Sequence, residues 1–488
     1  MKTRYLPLVL SLVIGWTSCA AQPGERTAIL IHDYLKGLEK DKSFSGGVLI
    51  TKNNIVLLKE GFGYADRENK IPFSSSTLAS MGSITKSFTA VGILKLAEQK
   101  KISLNDNLKK FFPDVPSDKE MISIHQLLTH SAGFPEFSKV DKGDYEKIGT
   151  EDFLKRVFSE PLAFAPGSKA IYTNTGFSIL AIIIEKISGL EYEAFLKKEL
   201  FKPIGIVHLG YQFPIEKGQV IAVGYQNGMK WGTHQSHFSQ AGGGPFWNLK
   251  GNGGLEVSLD ELEVWIAAMS NYEILNKAST ELMFSPHITE DGTNGFYSFG
   301  YGCNISKSRR NTKVIDNGGS NGIYFARLVR FPEENVVVYM VTNEKAMNTN
   351  MVLPNVMQLY FNGKIEEQAQ GKPIFQDPTS GKIYDLLISK GYQSFEKNMA
   401  DARIDVQDDM VLLEVGQILS EQNRIDEAIA LYEYYIRNFP SIVVAQNDLG
   451  DLYLMKNQKE KAIQCYKRAL VIRPGNPRAT AALKNLVP

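Results

Sequence analysis

The sequence predicts an α+β chain: an antiparallel sheet flanked by helices with a helical subdomain, followed by an all-α repeat region. Three observations predict it. Strand signals cluster at the two ends of residues 25–360, a largely helical stretch separates them, and a 34-residue periodicity marks the C-terminal part.

An N-terminal helix is expected over residues 25–39. Two aliphatic runs follow, Gly47 to Thr51 and Ile55 to Lys59, and the Lys52-Asn53-Asn54 turn between them predicts a hairpin. After the helical middle, strand signals return at Phe299 to Asn304, Thr312 to Ile315, Tyr324 to Phe331 and Val336 to Thr342. Early and late strands are expected to join in one antiparallel sheet with helices on its faces.

Past residue 364 the character changes. Glu366-Glu367-Gln368-Ala369-Gln370-Gly371-Lys372-Pro373 and Asp377-Pro378-Thr379-Ser380-Gly381 read as a linker over 365–381, and 382–488 as helical. Gly416, Ala428, Tyr432 and Pro440 recur 34 residues later as Gly450, Ala462, Tyr466 and Pro474. This spacing resembles the tetratricopeptide repeat, whose small residues let paired helices approach and whose proline ends the unit. Two units bury too little surface alone, so the amphipathic stretch with Tyr384, Leu387, Phe395 and Met399 is expected to cap them. The repeats imply either a groove for a protein or peptide partner or a stabilising extension packed on the preceding domain.

The chemistry centres on Ser83-Ile84-Thr85-Lys86. Phe88, Val91 and Leu94 stand at helical spacing, so a helix beginning at or just before Ser83 puts hydroxyl and amine on one face. An isolated hydroxyl is a poor nucleophile at neutral pH. A lysine whose ordinary pKa of about 10.4 is lowered by burial and by the positive end of a helix can take its proton. S-x-x-K arises about twice by chance in a chain of this length, and it stands here at Ser83/Lys86 and at Ser394/Lys397. The second reads as a solvated face of the cap.

Context favours the first. Met81-Gly82-Ser83-Ile84-Thr85-Lys86-Ser87 is followed in order by Leu127-Leu128-Thr129-His130-Ser131-Ala132-Gly133, by Phe164-Ala165-Pro166-Gly167 and by Tyr172-Thr173-Asn174-Thr175-Gly176. Phe201-Lys202-Pro203-Ile204-Gly205 and Gly253-Gly254-Leu255 come next. These linked stations resemble the serine β-lactamase and penicillin-binding-protein superfamily, specifically its class C β-lactamase-like branch, across residues 25–360. The resemblance implies Ser83 as the acyl-accepting nucleophile, Lys86 as its proton partner, Tyr172 as the second member of the relay and Asn174 as a substrate-orienting residue. Tyr225-Gln226-Asn227 is a rival Tyr-x-Asn, but it does not follow the Phe-x-Pro-Gly turn as Tyr172 does. His130 reads as a hydrogen-bonded structural histidine.

The third station departs from the family. Aligning Asp316-Asn317-Gly318-Gly319-Ser320-Asn321-Gly322-Ile323 with His-x-Gly-Gly-x-x-Gly-Phe puts Asp316 where histidine or lysine usually sits, with Gly318 and Gly319 beside the substrate. The amides of Ser83 and Gly319 are expected to form an oxyanion hole, which needs donors and no particular side chain. An acid at 316 is expected to reverse the local charge, to favour a neutral or cationic substrate and to hold Lys86 in its charged form. Gly318 to Gly322 also fits the G-x-S-x-G nucleophile elbow, which needs a following helix and a later histidine. A hairpin follows instead, and His287 is the last histidine, so the elbow is rejected.

With 488 residues, 43% hydrophobic and 22% charged, the chain reads as two or three globular domains. A net charge of +1 and the lack of a basic block argue against nucleic acid. Lys2 and Arg4, the apolar run Leu6 to Trp16 and Thr17-Ser18-Cys19-Ala20-Ala21 read as a signal peptide over 1–21, too short to span a membrane. Export is expected, with two processing outcomes: cleavage to a soluble periplasmic chain starting the hydrolase domain at 22–364, or lipidation of Cys19 as a membrane anchor. Cys303 and Cys465 fall in different domains and indicate no disulfide framework. Neither metal-ligand spacing nor a phosphate loop appears, and no cofactor is implied.

These readings converge on an exported serine hydrolase that forms a covalent acyl-enzyme on an ester, amide or β-lactam carbonyl of a small-molecule or peptidic substrate. Asp316 favours an esterase or D-amino-acid peptidase over a true β-lactamase, whose substrates carry a carboxylate. The rival is a catalytically silent binding or scaffold protein acting through its repeats. Intact Ser83, Lys86, Tyr172 and Asn174 count against it.

Overall fold

The computed structural model describes residues 23–135, 142–212, 218–226, 229–290, 297–308, 310–344, 349–365, 378–406 and 409–486. The signal stretch, Cys19 and most of the linker lie outside these residues.

Eight strands form one antiparallel sheet: β1 (Gly46–Lys52), β2 (Ile55–Phe62), β3 (Ile288–Thr289), β4 (Ser298–Phe299), β5 (Asn304–Lys307), β6 (Lys313–Ser320), β7 (Phe325–Phe331) and β8 (Val336–Thr342). Their order is β2-β1-β8-β7-β6-β5-β4-β3, so the first hairpin joins the last strand, Gly46 opposite Thr342 and Lys52 opposite Val336. Early and late strands thus meet as the sequence implies. The run Phe299 to Asn304 is not one strand, because Gly300 to Cys303 turns the chain, Gly300 N–H donating to the Cys303 carbonyl. β6 continues past Ile315 to Ser320, held by its pairing with β7 despite two glycines.

Strand alternation divides the interior. Val337, Tyr339 and Val341 of β8 face a core built with α2 (Thr85–Glu98), α3 (Thr175–Ser188) and α4 (Leu259–Ser270). Val336, Val338 and Met340 face the other way, onto α1 (Pro23–Lys40) and α5 (Thr349–Asn362). α2 is buried on every side from Thr85 to Leu94, as expected of a helix apolar all round. Its Phe88 lies 4.4 Å from the Trp265 ring and touches no solvent, and cutting it back to alanine is expected to cost about 3–5 kcal/mol.

The C-terminal part is all helix: α6 (Pro378–Lys390), α7 (Phe395–Asp401), α8 (Met410–Glu421), α9 (Ile425–Asn438), α10 (Val443–Met455), α11 (Lys459–Ile472) and α12 (Pro477–Leu486). α6 begins inside the stretch read as linker. Tyr384, Leu387, Phe395 and Met399 are buried in the repeat core, so α6 and α7 are the expected cap. The reason for the repeated glycine is visible twice. A Cβ at Gly416 would meet the Tyr432 ring at 2.6 Å, and one at Gly450 the Tyr466 ring at 2.8 Å.

Candidate active site

A 3₁₀ turn, Gly82–Ile84, leads into α2, so Ser83 stands at the helix end whose N–H groups lack intrahelical acceptors. The i, i+3 spacing brings Lys86 Nζ to 3.2 Å from Ser83 Oγ. The same nitrogen donates to Asn174 Oδ1 at 2.7 Å and to the Asn252 carbonyl at 2.7 Å. Burial holds the Lys86 amine well below the usual lysine range; Asp144 opposes this and Arg473 reinforces it. A neutral amine has two N–H groups and one lone pair. Two amide oxygens, which only accept, occupy two of the Lys86 N–H groups, and in a neutral amine the lone pair would be left for the Ser83 hydroxyl.

Tyr172 lies on the same amine, its ring centroid 4.7 Å from Lys86 Nζ. His130 holds the segment on both sides of it: its carbonyl accepts from Ile171 N–H at 3.2 Å and its Nδ1 accepts from Thr173 N–H at 3.1 Å. The His130 ring packs 4.7 Å from the Tyr172 ring, and burial keeps the imidazole neutral. The rival Tyr225 is elsewhere, its hydroxyl accepting from Arg67 N–H and donating to Glu68.

On the sheet side, β6 meets the 3₁₀ turn at Gly319. A Cβ there would run into the Met81 carbonyl and sit 2.8 Å from Ser83 N, so only glycine lets the two backbones approach. Register then corrects the reading of Asp316. Asp316 is opposite Val329 and Asn317 opposite Leu328. Val329 packs in the core of α1 and α5, Leu328 in the core of α2. Asn317 and Gly319 therefore face the Ser83 side, Asn317 donating to the Gly302 carbonyl at 2.6 Å, while Asp316 and Gly318 face away. Arg327 clamps the Asp316 carboxylate with a bidentate bond, Nε at 2.9 and 3.1 Å. The expected charge reversal at Ser83 does not occur, because the acid is turned to the opposite face and paired.

Two further readings resolve simply. Ser394 and Lys397 are solvent-exposed at the start of α7, and Gly318 to Gly322 lead from β6 into the β7 hairpin rather than into a helix. Among the described residues no cluster of His, Cys, Asp or Glu could hold a metal. Cys303 and Cys465 are free and buried.

Residues 31–356 match the family described as Beta-lactamase. The chain belongs to the beta-lactamase family. Residues 413–477 match the tetratricopeptide repeat. Among curated relatives, the chain is 31% identical over 272 residues to the putative penicillin-binding protein PbpX of Bacillus subtilis, a match covering 55% of this chain and 64% of the relative. It is 25% identical over 319 residues to penicillin-binding protein 4* of the same organism, covering 63% and 70%. It thus spans less than two thirds of the length of PbpX. Among solved structures, the octameric penicillin-binding protein homologue from Pyrococcus abyssi superposes with a TM-score of 0.59 at 27% identity, covering 70% of this chain and 78% of that one. The penicillin-binding protein from Bacillus halodurans gives 0.55 at 25%, covering 67% and 99%.

In this beta-lactamase-family chain the sequence reading missed three contributors. The Asn252 carbonyl holds Lys86, and its only signal is the glycine cluster Gly251 to Gly254 that lets the chain turn toward the amine. Asp144 and Arg473 set the field at the amine, yet they are separated by most of the chain and pair only once the repeats dock, Arg473 Nη2 to Asp144 Oδ1 at 3.2 Å. A cavity of about 1200 Å³ lies between the repeats and the beta-lactamase-family body, lined by residues including Lys40, Arg67, Gln417, Asp448 and Arg478. None of Ser83, Lys86 or Tyr172 lines it.

Proposed function

We propose that the protein is an exported serine hydrolase that works through an acyl-enzyme. Ser83 Oγ attacks the carbonyl carbon of an ester, amide or lactam as its proton passes to Lys86. Amides of Ser83 and Gly319 hold the oxyanion, Tyr172 relays the proton to the leaving group as the carbonyl–heteroatom bond breaks, and water then cleaves the Ser83 ester. The observation that carries this reading is the setting of Lys86: two accepting oxygens at 2.7 Å engage its N–H groups, and its nitrogen stands 3.2 Å from Ser83 Oγ, where the lone pair of a neutral amine would point.

Substrate class follows from the strand face beside Ser83. Where the strand meets the Ser83 turn, this face carries Asn317 and Gly319, and its cations, Lys313 and Arg330, stand toward the other end of the strand pair, so a neutral ester or D-amino-acid peptide fits better than a carboxylate-bearing β-lactam. The relatives named as penicillin-binding proteins support acyl transfer as the reaction class. The groove of the repeats is read as the seat of a protein or peptide partner, and the N-terminal segment as an export signal with Cys19 as the alternative lipid anchor. The silent-scaffold alternative loses its main support, since the Asp316 carboxylate is paired with Arg327 and turned away from Ser83.

The test is intact-mass analysis after exposure to a fluorophosphonate, a penicillin and an activated ester. A single adduct on the native chain that Ser83→Ala abolishes is expected with the fluorophosphonate, and turnover with the ester. A folded protein inert to all three reagents overturns the reading.

A further inference from the structure

We propose that Arg473, carried by the last repeat, is a positioning residue for the reaction at Ser83, fixing the loop that holds the Lys86 amine through two buried asparagines. This rests on the reading of Ser83 as nucleophile and Lys86 as base.

A continuous set of bonds connects them. Lys86 Nζ donates to the Asn252 carbonyl at 2.7 Å, and Asn252 Nδ2 donates to the Asn248 carbonyl at 2.9 Å. Asn248 Nδ2 donates in turn to the Gly143 carbonyl and to Glu146 Oε2, both at 2.9 Å. The next residue, Asp144, meets Arg473 at 3.2 Å. Beside this pair the two backbones touch: a Cβ on Gly143 would lie 2.9 Å from the Gly475 carbonyl, and one on Gly475 would strike the Lys142 carbonyl. Asn248 and Asn252 are buried, so neither can exchange its protein partners for water without a cost.

The same end of the repeats also reaches the sheet side of the site. Arg478, paired with Asp448 and Asp451, lies against Gly322, where a Cβ would be 3.4 Å from Arg478 Cβ. Gly322 lies two residues past the end of the strand that carries Gly319. The end of the last repeat and the helix α12 that follows it therefore contact both the Gly143 loop and the turn after β6.

Charge gives the contact a chemical consequence. Asp144 and Arg473 act on Lys86 in opposite senses. The other titratable groups facing the amine are Tyr172 and a neutral His130. Removing the guanidinium leaves Asp144 alone, which favours the protonated amine that cannot serve as a base. An exposed ion pair would matter little, but Asp144 is 10% exposed and the bond is charge-assisted.

The test uses the full-length protein and follows the rate of fluorophosphonate labelling of Ser83 against pH. Arg473→Ala is expected to move the rising limb to higher pH and to slow labelling roughly tenfold at neutral pH. Arg473→Lys should recover most of the rate, and adding Asp144→Asn to Arg473→Ala should bring the limb back. Asp144→Asn alone, expected to move the limb to lower pH, decides the matter if Arg473→Ala does not fold. An unmoved limb in these folded variants, or a loss equal at every pH that lysine does not relieve, overturns the proposal. A native chain that never labels at Ser83 overturns this proposal and the hydrolase reading together, so the two failures are distinguishable.

Discussion

Lys86 Nζ lies 2.7 Å from the carbonyl oxygen of Asn252, an acceptor that no side-chain substitution at 252 removes. Together with Asn174 Oδ1 it fixes where the amine points, and Ser83 receives what is left. An amine held this way is sensitive to the charge of its acceptors rather than to their number.

Asn174→Asp tests that sensitivity. A carboxylate in place of the amide oxygen would stabilise the charged amine and raise its pKa from its depressed value. Labelling of Ser83 is expected to fall roughly ten- to a hundredfold at neutral pH and to recover as pH rises. Lys86→Met should lower the rate by about 10²–10⁴-fold at every pH. A pH-independent loss in Asn174→Asp would refute the lone-pair argument.

His130→Ala should act through Tyr172. Loss of the imidazole removes the acceptor of Thr173 N–H and the ring beneath the tyrosine. Proton delivery to a poor leaving group, as in an amide, is expected to suffer more than release of an activated phenolate, which needs no proton. Equal losses on both substrates would count against a positioning role.

Asp316 and Arg327 form a structural pair on the far face of β6. Asp316→Ala takes the carboxylate from the guanidinium, leaving it Tyr297, and is expected to cost about 1–3 kcal/mol of stability, with Ser83 labelling unchanged. Asp316→His should bring no gain with carboxylate-bearing β-lactams, because the residue faces away from Ser83. Faster acylation by such a β-lactam in Asp316→His would show the register argument to be mistaken.

Glu256 makes stability depend on pH. It lies opposite Ser80, just ahead of the 3₁₀ turn that carries Ser83, and burial pushes its carboxyl from 4.5 up to about 8. Below about pH 4.5 folded and unfolded chains are both protonated at this site, and its favourable contribution is fully present. As pH rises toward 8 the unfolded carboxyl ionises and the folded one does not, so stability falls through this window. Thermal melts from pH 4 to 9 should show that decline, and Glu256→Gln should flatten it; parallel curves for the two proteins would contradict the assignment.

Much of this was legible in the residues. Ser83 and Lys86 were readable because helical geometry is local: a spacing of three suffices to bring the side chains together. The doubled Gly-to-Tyr contact of the repeats was readable because it recurs. Asp316 was misread because a one-residue pleat decides which face a strand residue presents, and an alignment of glycines says nothing about that face. Its partner Arg327 lies across a hairpin. Asn252 contributes a backbone oxygen, which leaves no trace in composition, and Arg473 enters only through the docking of one domain on another.

The joining of β1 to β8 also bears on how the chain is made. Gly46 emerges early in synthesis and its partner Thr342 very late, so the first hairpin exposes an unpaired edge until nearly all of the sheet-bearing part has left the ribosome. Such long-range pairing folds slowly and leaves aggregation-prone edges open meanwhile. A polypeptide that cannot close its sheet early depends on whatever shields β1 and β2 until Thr342 arrives, so the order of synthesis itself sets the interval of greatest exposure.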